Sequence, residues 1–380
     1  MGLALDGVRI LELARFQAGP RGGMILSDLG AEVIKIEPPG GEETRQHPPL
    51  VRGQSVYFTV YNRGKKSVCL DMRSPRGKEV FAELVTKADA VLENFRPGVM
   101  RAMGFDYERL RAINPGIILV SVSGFGQYGP YTDRPAFDPL GQAMSGLMAL
   151  TGQPVGQPLG TASSVVDRYT ALHATIGMLA ALRHRDRTGE GQVVDVCLLD
   201  SALTMVEIPA SYYLATGAEG GEGGRPPYRA KDGWVVISAA GRAMAAALMR
   251  MVGAAEDATP MPGSSVGDRR RKLVEAWCAE RTVDEICTAL ASAGIPSGPV
   301  RTIPEVVKDP HVWEREMLVK MDDAVAGEMY VPGVTIKLSK TPGRVGPVPT
   351  PGQHTDEVLR GVLGYDDAAL AELRRQGAVK

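Results

Sequence analysis

The chain has 380 residues, 44% of them apolar and 23% charged, with a formal net charge of −1. This length exceeds one ordinary domain and points to two, and the balanced charge supplies no global field for nucleic acid or an anionic membrane, so neither is an expected partner. Four cysteines, Cys69, Cys197, Cys278 and Cys287, lack zinc-ligand spacing and read as buried thiols, and with no basic-then-apolar leader and no long uncharged apolar span a cytoplasmic location is expected.

Residues 8–13, VRILEL, read as a strand, and Gly19-Pro20 as a turn into a helix over 23–29 that Gly30 closes. A second strand over 32–36 completes a βαβ unit, which joins parallel strands. The pattern repeats with a strand over 67–70, a helix over 76–87, a strand over 90–92 and another over 117–122. The predicted fold class is therefore α/β, a doubly wound parallel sheet with a smaller α+β domain. Ligands of such sheets bind beyond the carboxyl ends of the strands, here residues 14–20, 37–41, 93–98 and 123–129.

After Asp167, the residues Leu172, Ile176, Leu179 and Leu182 recur at helical spacing, thickened by Ala171, Ala174, Ala180 and Ala181. So many small residues predict close packing against another element. Arg183, His184 and Arg185 suit the negative helix end, Thr188-Gly189-Glu190-Gly191 ends it, and Val193, Val194 and Val196 read as a strand. Asp167 sits at the helix start, where two readings compete. Ser164-x-x-Asp167 fits a capping box, and a carboxylate at a helix N-terminus is also a candidate nucleophile kept ionised by the local field.

Residues 217–224, GAEGGEGG, hold five glycines and cannot pack a core, so they read as a linker or lid. A strand over 234–238 and helices over 243–251 and 269–279 follow, with Met244, Met249 and Met251 as core filler. From His311 the chain turns Pro-rich, as an extended strap would, before a last helix over 368–376. The expected domains are 1–200 (large), 201–224 (linker with glycine loop), 225–305 (small) and 306–380 (return strap and C-terminal segment packing on the large domain).

Gly124-Phe125-Gly126-Gln127-Tyr128-Gly129 is a literal G-x-G-x-x-G, but Pro130 and Pro135 leave no room for the helix a pyrophosphate needs. Residues 263–267, GSSVG, match a nucleophile elbow without the buried strand it requires. The five histidines show no metal-ligand spacing, and His173 reads as structural. Arg63, Lys65 and Lys66 cluster before a strand; with Lys35 and Arg96 near strand ends, they outline a cationic rim suited to a polyphosphate. Gln17, in RFQAGP, has no evident structural duty and could hydrogen-bond a thioester or carboxylate oxygen at that rim.

Several stretches together carry a resemblance: QAGP at Gln17, SDLGAEVIKIEPPGG at Ser27, NRGKKSVCLDM at Asn62, ENFRPGV at Glu93, SGFGQYGPY, TGEGQVVDV and GQHTDEVL. In this order they resemble the class III coenzyme A transferases, the formyl-CoA and carnitine-CoA transferase relatives. The resemblance implies a Rossmann-like large domain, a small domain, and two subunits interlocked as a homodimer. It implies an acyl-CoA and a small carboxylic acid as substrates, with no permanently bound cofactor and no metal. Asp167 becomes the nucleophile, with Gln17 and the loop glycines Gly220, Gly221 and Gly223 beside it. Coenzyme A lies near Lys35, Asn94, Phe95 and Arg96, with Arg101 as a phosphate contact displaced by one residue. Arg63, Lys65, Phe137 and Asp138 are counted with these contacts. Glu222 interrupts the glycine loop, a charge able to alter acid selection.

The implied chemistry passes coenzyme A through an aspartyl anhydride and an aspartyl-CoA thioester, with backbone N–H groups near Gln17 and Ala18 on the oxyanion. Two alternatives stand beside it. The related acyl-CoA racemases carry His before Asp where this chain has Phe137-Asp138, and a phenyl ring exchanges no protons. A non-catalytic acyl-CoA-binding protein would need neither Asp167 nor Gln17.

Overall fold

The computed structural model describes residues 2–153, 156–220, 226–253 and 265–380. It divides into two compact units, Met1–Glu222 with Trp313–Lys380, and Gly223–Val312. The first is built on six parallel strands: β1 (Arg9–Glu12), β2 (Glu32–Glu37), β3 (Lys66–Cys69), β4 (Ala90–Glu93), β5 (Ile118–Ser123) and β6 (Val193–Cys197). Their spatial order is β3-β2-β1-β4-β5-β6. This is the doubly wound order in which the chain reverses direction between β1 and β4, opening a crevice at their carboxyl ends.

Both faces of the sheet are covered, so the strands are almost wholly apolar. Leu11, Ile34, Val68 and Val91 face one core with Val80, Phe81 and Leu84 of α3 (Pro75–Val85). The C-terminal Val358, Leu359, Leu370 and Leu373 complete that layer. The alternate residues Ile10, Val33, Leu92, Ile118 and Val120 face the other core, with Ala174, Met178 and Leu182. Those three belong to the long helix α5 (Val165–Thr188), which Gly189 closes in a left-handed conformation at φ +77°. The predicted close packing is present, since a Cβ at Gly177 would lie 2.5 Å from Val194 Cγ1.

Several boundaries differ from expectation. Helix α1 runs over Ala18–Asp28, so Gly19-Pro20 lies within its first turn rather than before it. Proline is tolerated there because a first-turn N–H has no intrahelical acceptor. Part of the stretch expected as a linker forms α6 (Glu207–Thr216), and part of the expected strap is a β-hairpin, Leu318–Asp323 with Gly327–Pro332. Gly221 and Gly223 of the expected glycine loop, with Glu222, lie outside the described residues, as does the start of the 263–267 motif.

The second unit has a three-stranded antiparallel sheet, Tyr228–Arg229, Trp234–Ile237 and Ser297–Pro299. Its core gathers Val235, Ile237, Leu248, Val274, Cys278, Ile286 and Leu290, and Met244, Met249 and Met251 pack against it as filler. Among the described residues no helix is long and apolar enough to cross a membrane.

Candidate active site

The crevice between β1 and β4 is closed at its floor by one side chain. Asn94, just beyond β4, accepts from the Arg15 N–H through Oδ1 and donates to the Arg15 carbonyl through Nδ2, both at 2.7 Å. Phe95 follows, its N–H held by Glu93 at 2.7 Å and its ring 5.5 Å from the Arg15 guanidinium. Pinned this way, the chain turns at Phe16, a non-glycine residue at φ +60°. Such a conformation costs of order 1–3 kcal/mol and persists only where its surroundings enforce it. The turn sends Gln17 inward. It is buried, and its Nε2 reaches the Ser164 carbonyl at 3.4 Å, at the start of α5.

The start of α5 is capped, but not by its own residues. The Ser164 side chain makes no cap bond. Asp138, which opens helix α4 (Asp138–Met144), reaches across instead. Its Oδ1 accepts the N–H groups of Val166 at 2.7 Å and Asp167 at 3.0 Å, and its Oδ2 accepts from Gln142. Gln142 in turn holds the Thr161 N–H at 2.9 Å. Asp138 is thus a buried cap.

With the capping done by Asp138, the Asp167 carboxylate makes no hydrogen bond or ion pair among the described residues. The capping-box reading therefore fails for it. Nor is it simply kept ionised, as its helix position suggested. Burial and the Asp138 carboxylate push it up to about 7, against the pull of Arg168. Tyr57, on helix α2 (Val56–Asn62), lies within electrostatic reach, its phenol raised by burial, Tyr61 and Asp167. It stacks on His47 at 4.5 Å and meets Tyr61 edge-on at 5.0 Å. Phe137, 63% exposed, packs edge-on against Phe16 at 5.9 Å. His173 is structural, its Nδ1 3.1 Å from Ser201 Oγ.

Three of the cations expected at the rim turn inward. Lys35, Arg63 and Lys65 are all buried. Lys35 Nζ contacts Glu12 at 3.2 Å, Glu42 at 3.3 Å and the Ala14 carbonyl at 2.8 Å. Lys65 Nζ contacts Glu12 at 2.7 Å, Asn62 at 3.0 Å and the Pro20 carbonyl at 2.9 Å. Arg63 pairs with Asp28 at 2.7 Å. The two lysines therefore clamp both ends of the segment that carries Gln17, with Glu12 as the shared anion. Burial pulls Lys65 down to about 8, only partly offset by Glu12. Lys35, equally buried, is held above its ordinary value by Glu42, Glu12 and Glu37. Gly23 makes room for this carboxylate, since a Cβ there would fall 1.8 Å from Glu12 Oε2.

Among the cations expected to contact coenzyme A, Arg96 and Arg101 are exposed. They line a cleft of about 440 Å³ at the carboxyl ends of β4 and β5, with Glu93, Ser121, Gln127 and Thr132. Beyond β5 the G-x-G-x-x-G loop is tied down by Gln127 N–H on Asp195 at 2.9 Å, and no long helix follows it. Of the expected glycine loop, Gly220 is exposed and sits against the Tyr212 ring. The contributions of Tyr57, Arg168 and the Asp138 cap carried no local motif.

Residues 5–355 match the model of CoA-transferase family III. The chain belongs to that family. It is 37% identical to the succinyl-CoA--D-citramalate CoA-transferase of Chloroflexus aurantiacus, over 98% of this chain and 97% of that one. It is 34% identical to the formyl-CoA:oxalate CoA-transferase of Streptomyces avermitilis, over the whole of both. A solved CAIB/BAIF family protein from Brucella suis superposes with a TM-score of 0.83 at 33% identity, covering 95% of this chain and all of that one. The protein is accordingly a CoA-transferase, and coenzyme A thioesters are its substrates.

Two predictions follow from this geometry. Glu12→Ala leaves Lys65 without its ion-pair partner and Lys35 with Glu42 as its one ion-pair partner, so unfolding in urea should come at a lower midpoint, a loss of about 3–5 kcal/mol. An unchanged midpoint would show that the clamp is not needed for stability. For Asp167 the sign follows from its raised value: the folded state disfavours the ionised form, so stability is lost as pH rises from the ordinary carboxylate value near 4 through about 7. Asp167→Asn escapes that loss. Its melting temperature should exceed that of the unmodified enzyme at pH 8, and the difference should shrink steadily towards pH 5.

Proposed function

We propose that this CoA-transferase moves coenzyme A between an acyl-CoA donor and a carboxylic acid by covalent relay on Asp167. The observation that carries this reading is the unpartnered Asp167 carboxylate at a helix start that Asp138 already caps. An Asp167 oxygen attacks the thioester carbonyl, the C–S bond breaks, and a mixed anhydride and CoA thiolate result. The thiolate then attacks the aspartyl carbonyl, releasing the donor acid and leaving an aspartyl-CoA thioester. The acceptor carboxylate attacks that thioester, and the freed thiolate returns to the acceptor's acyl carbon, restoring Asp167. Nothing is oxidised, and the thioester energy is conserved so long as water is excluded.

The first-turn N–H groups of Ala18 and Gly19 have no intrahelical acceptor and suit the developing oxyanion. Gln17 holds the substrate oxygens. Coenzyme A lies along Asn94, Phe95, Arg96 and Arg101, with Phe137 against its acyl arm. Of the acids named for the two relatives, citramalate, succinate and oxalate are dicarboxylic and formate is not; a dicarboxylic substrate is our reading here. The free thiols Cys69, Cys197, Cys278 and Cys287 suit a reducing cytoplasm.

Denaturing mass spectrometry of enzyme mixed with donor alone should find an acyl-sized or CoA-sized addition on the Asp167 peptide, and hydroxylamine should remove it. Asp167→Asn should fold and lose transfer by several orders of magnitude. An active Asp167→Asn enzyme would end this mechanism.

The subunits pair as an interlocked homodimer. Support comes from α6, which buries no residue within its own subunit and exposes Ile208, Tyr212, Tyr213 and Leu214. Sedimentation from millimolar to nanomolar concentration should show dimer throughout, and a reversible monomer would count against interlocking.

A further inference from the structure

Helices α1 and α5 begin side by side. Gln17 Nε2 meets the Ser164 carbonyl at 3.4 Å, and a Cβ at Gly22 would lie 3.5 Å from the Ala171 carbonyl. Arg21 stands one turn beyond Gln17, its N–H on the Gln17 carbonyl at 2.9 Å, and Arg168 one turn beyond Ser164, bonded likewise at 3.3 Å. The two arginines therefore occupy matching positions on adjacent helices, Arg168 next to Asp167 and Arg21 within electrostatic reach of Arg168. Both are half-buried. Neither side chain makes a hydrogen bond or ion pair among the described residues, and Arg21 Nε is buried with no partner.

Other arginines of this unit are paired: Arg9 with Glu32, Arg45 with Glu37, Arg63 with Asp28 and Arg185 with Asp89. Asp28, which lies near Arg21, bonds Arg63 through Oδ2 and makes no bond to Arg21. Arg168 is within electrostatic reach of Asp167, Tyr57 and Arg21. Arg168 thus has Asp167 as its neighbouring anion, while Arg21 is drawn only weakly, by Tyr61 and Asp28, and faces Arg168 as a like charge. Acylation turns the Asp167 carboxylate into a neutral anhydride, and that anion disappears while the acyl group is in place. A second carboxylate on the acyl group restores it; an alkyl chain does not.

We propose that Arg168 and Arg21 form the subsite for the distal carboxylate of a dicarboxylic acyl group, and so select dicarboxylic over monocarboxylic thioesters. This rests on the reading of Asp167 as covalent carrier. The guanidinium forks donate to the carboxylate oxygens without touching the reacting carbonyl, so their effect is on substrate choice.

The test uses the full-length enzyme, donor alone, and the rate of acyl addition to Asp167 read by rapid quench and mass spectrometry. Succinyl-CoA and butyryl-CoA are the probes, matched in chain length and differing in the terminal carboxylate. The unmodified enzyme should be acylated faster by succinyl-CoA, and Arg168→Met should lower the succinyl-to-butyryl ratio on the order of tenfold or more. Arg21→Met should lower it in the same direction, and Arg168→Lys should recover part of it. A ratio near one in the unmodified enzyme overturns the subsite. So does an Arg168→Met enzyme slowed equally with both donors, the result expected if the pair held a coenzyme A phosphate. Absence of any Asp167 adduct from either donor would instead overturn the carrier reading itself.

Discussion

The site depends on a cap supplied from outside its helix. Asp138 satisfies the N–H groups of Val166 and Asp167, two of the first-turn donors that any α-helix leaves orphaned. A helix start buried without such a partner is unstable, and the usual remedy is a Ser, Thr, Asp or Asn of the helix itself. Here the local candidates are relieved of that duty. Ser164 is left to offer its carbonyl to Gln17, and Asp167 keeps an unoccupied carboxylate. The same contact places a second carboxylate close to the first, so the cap also raises the basicity of the group it releases.

The other half of the site rests on the sheet. The reversal of strand order between β1 and β4 leaves the segments after those strands without a common helix above them. Asn94 joins them, while Lys35 and Lys65 hold the Ala14 and Pro20 carbonyls from beneath. Fixed at both ends and in the middle, residues 14–20 have little freedom left, which is how Phe16 is kept at φ +60°. The buried Glu12 carboxylate between the lysines is therefore part of how Gln17 is aimed, although it contacts neither Gln17 nor Asp167.

Much of the fold was legible because it follows from periodicity. Short apolar runs alternating with amphipathic helices specify a doubly wound sheet, and the small residues of α5 signal close packing. Asp167 and Gln17 were legible as candidates from their places at a helix start and a strand end. The cationic rim misled because one-dimensional placement near a strand end does not say which side of the sheet edge a long side chain takes. Lys35 and Lys65 turn inward to Glu12, a residue whose own position in an apolar strand looked unremarkable. The Asp138 cap was invisible for a related reason. It joins residues 28 and 29 positions apart, and no local motif encodes a long-range contact of that kind.

A raised Asp167 bears directly on the chemistry proposed for it. A carboxylate of ordinary basicity, near 4, is a poor match for a thiol near 8.5, and its attack on a thioester would run strongly uphill towards the anhydride. A group pushed up to about 7 by burial and by Asp138 stands much nearer the thiol. In the proposed relay, forward and return transfers are then closer in energy. The folded protein accepts a destabilised ionised side chain to reach that balance, in keeping with strain and electrostatic cost concentrating where function needs them. Arg168 sets the limit. Adjacent to Asp167, it favours the ionised carboxylate, so the two neighbours Asp138 and Arg168 tune one group from opposite sides.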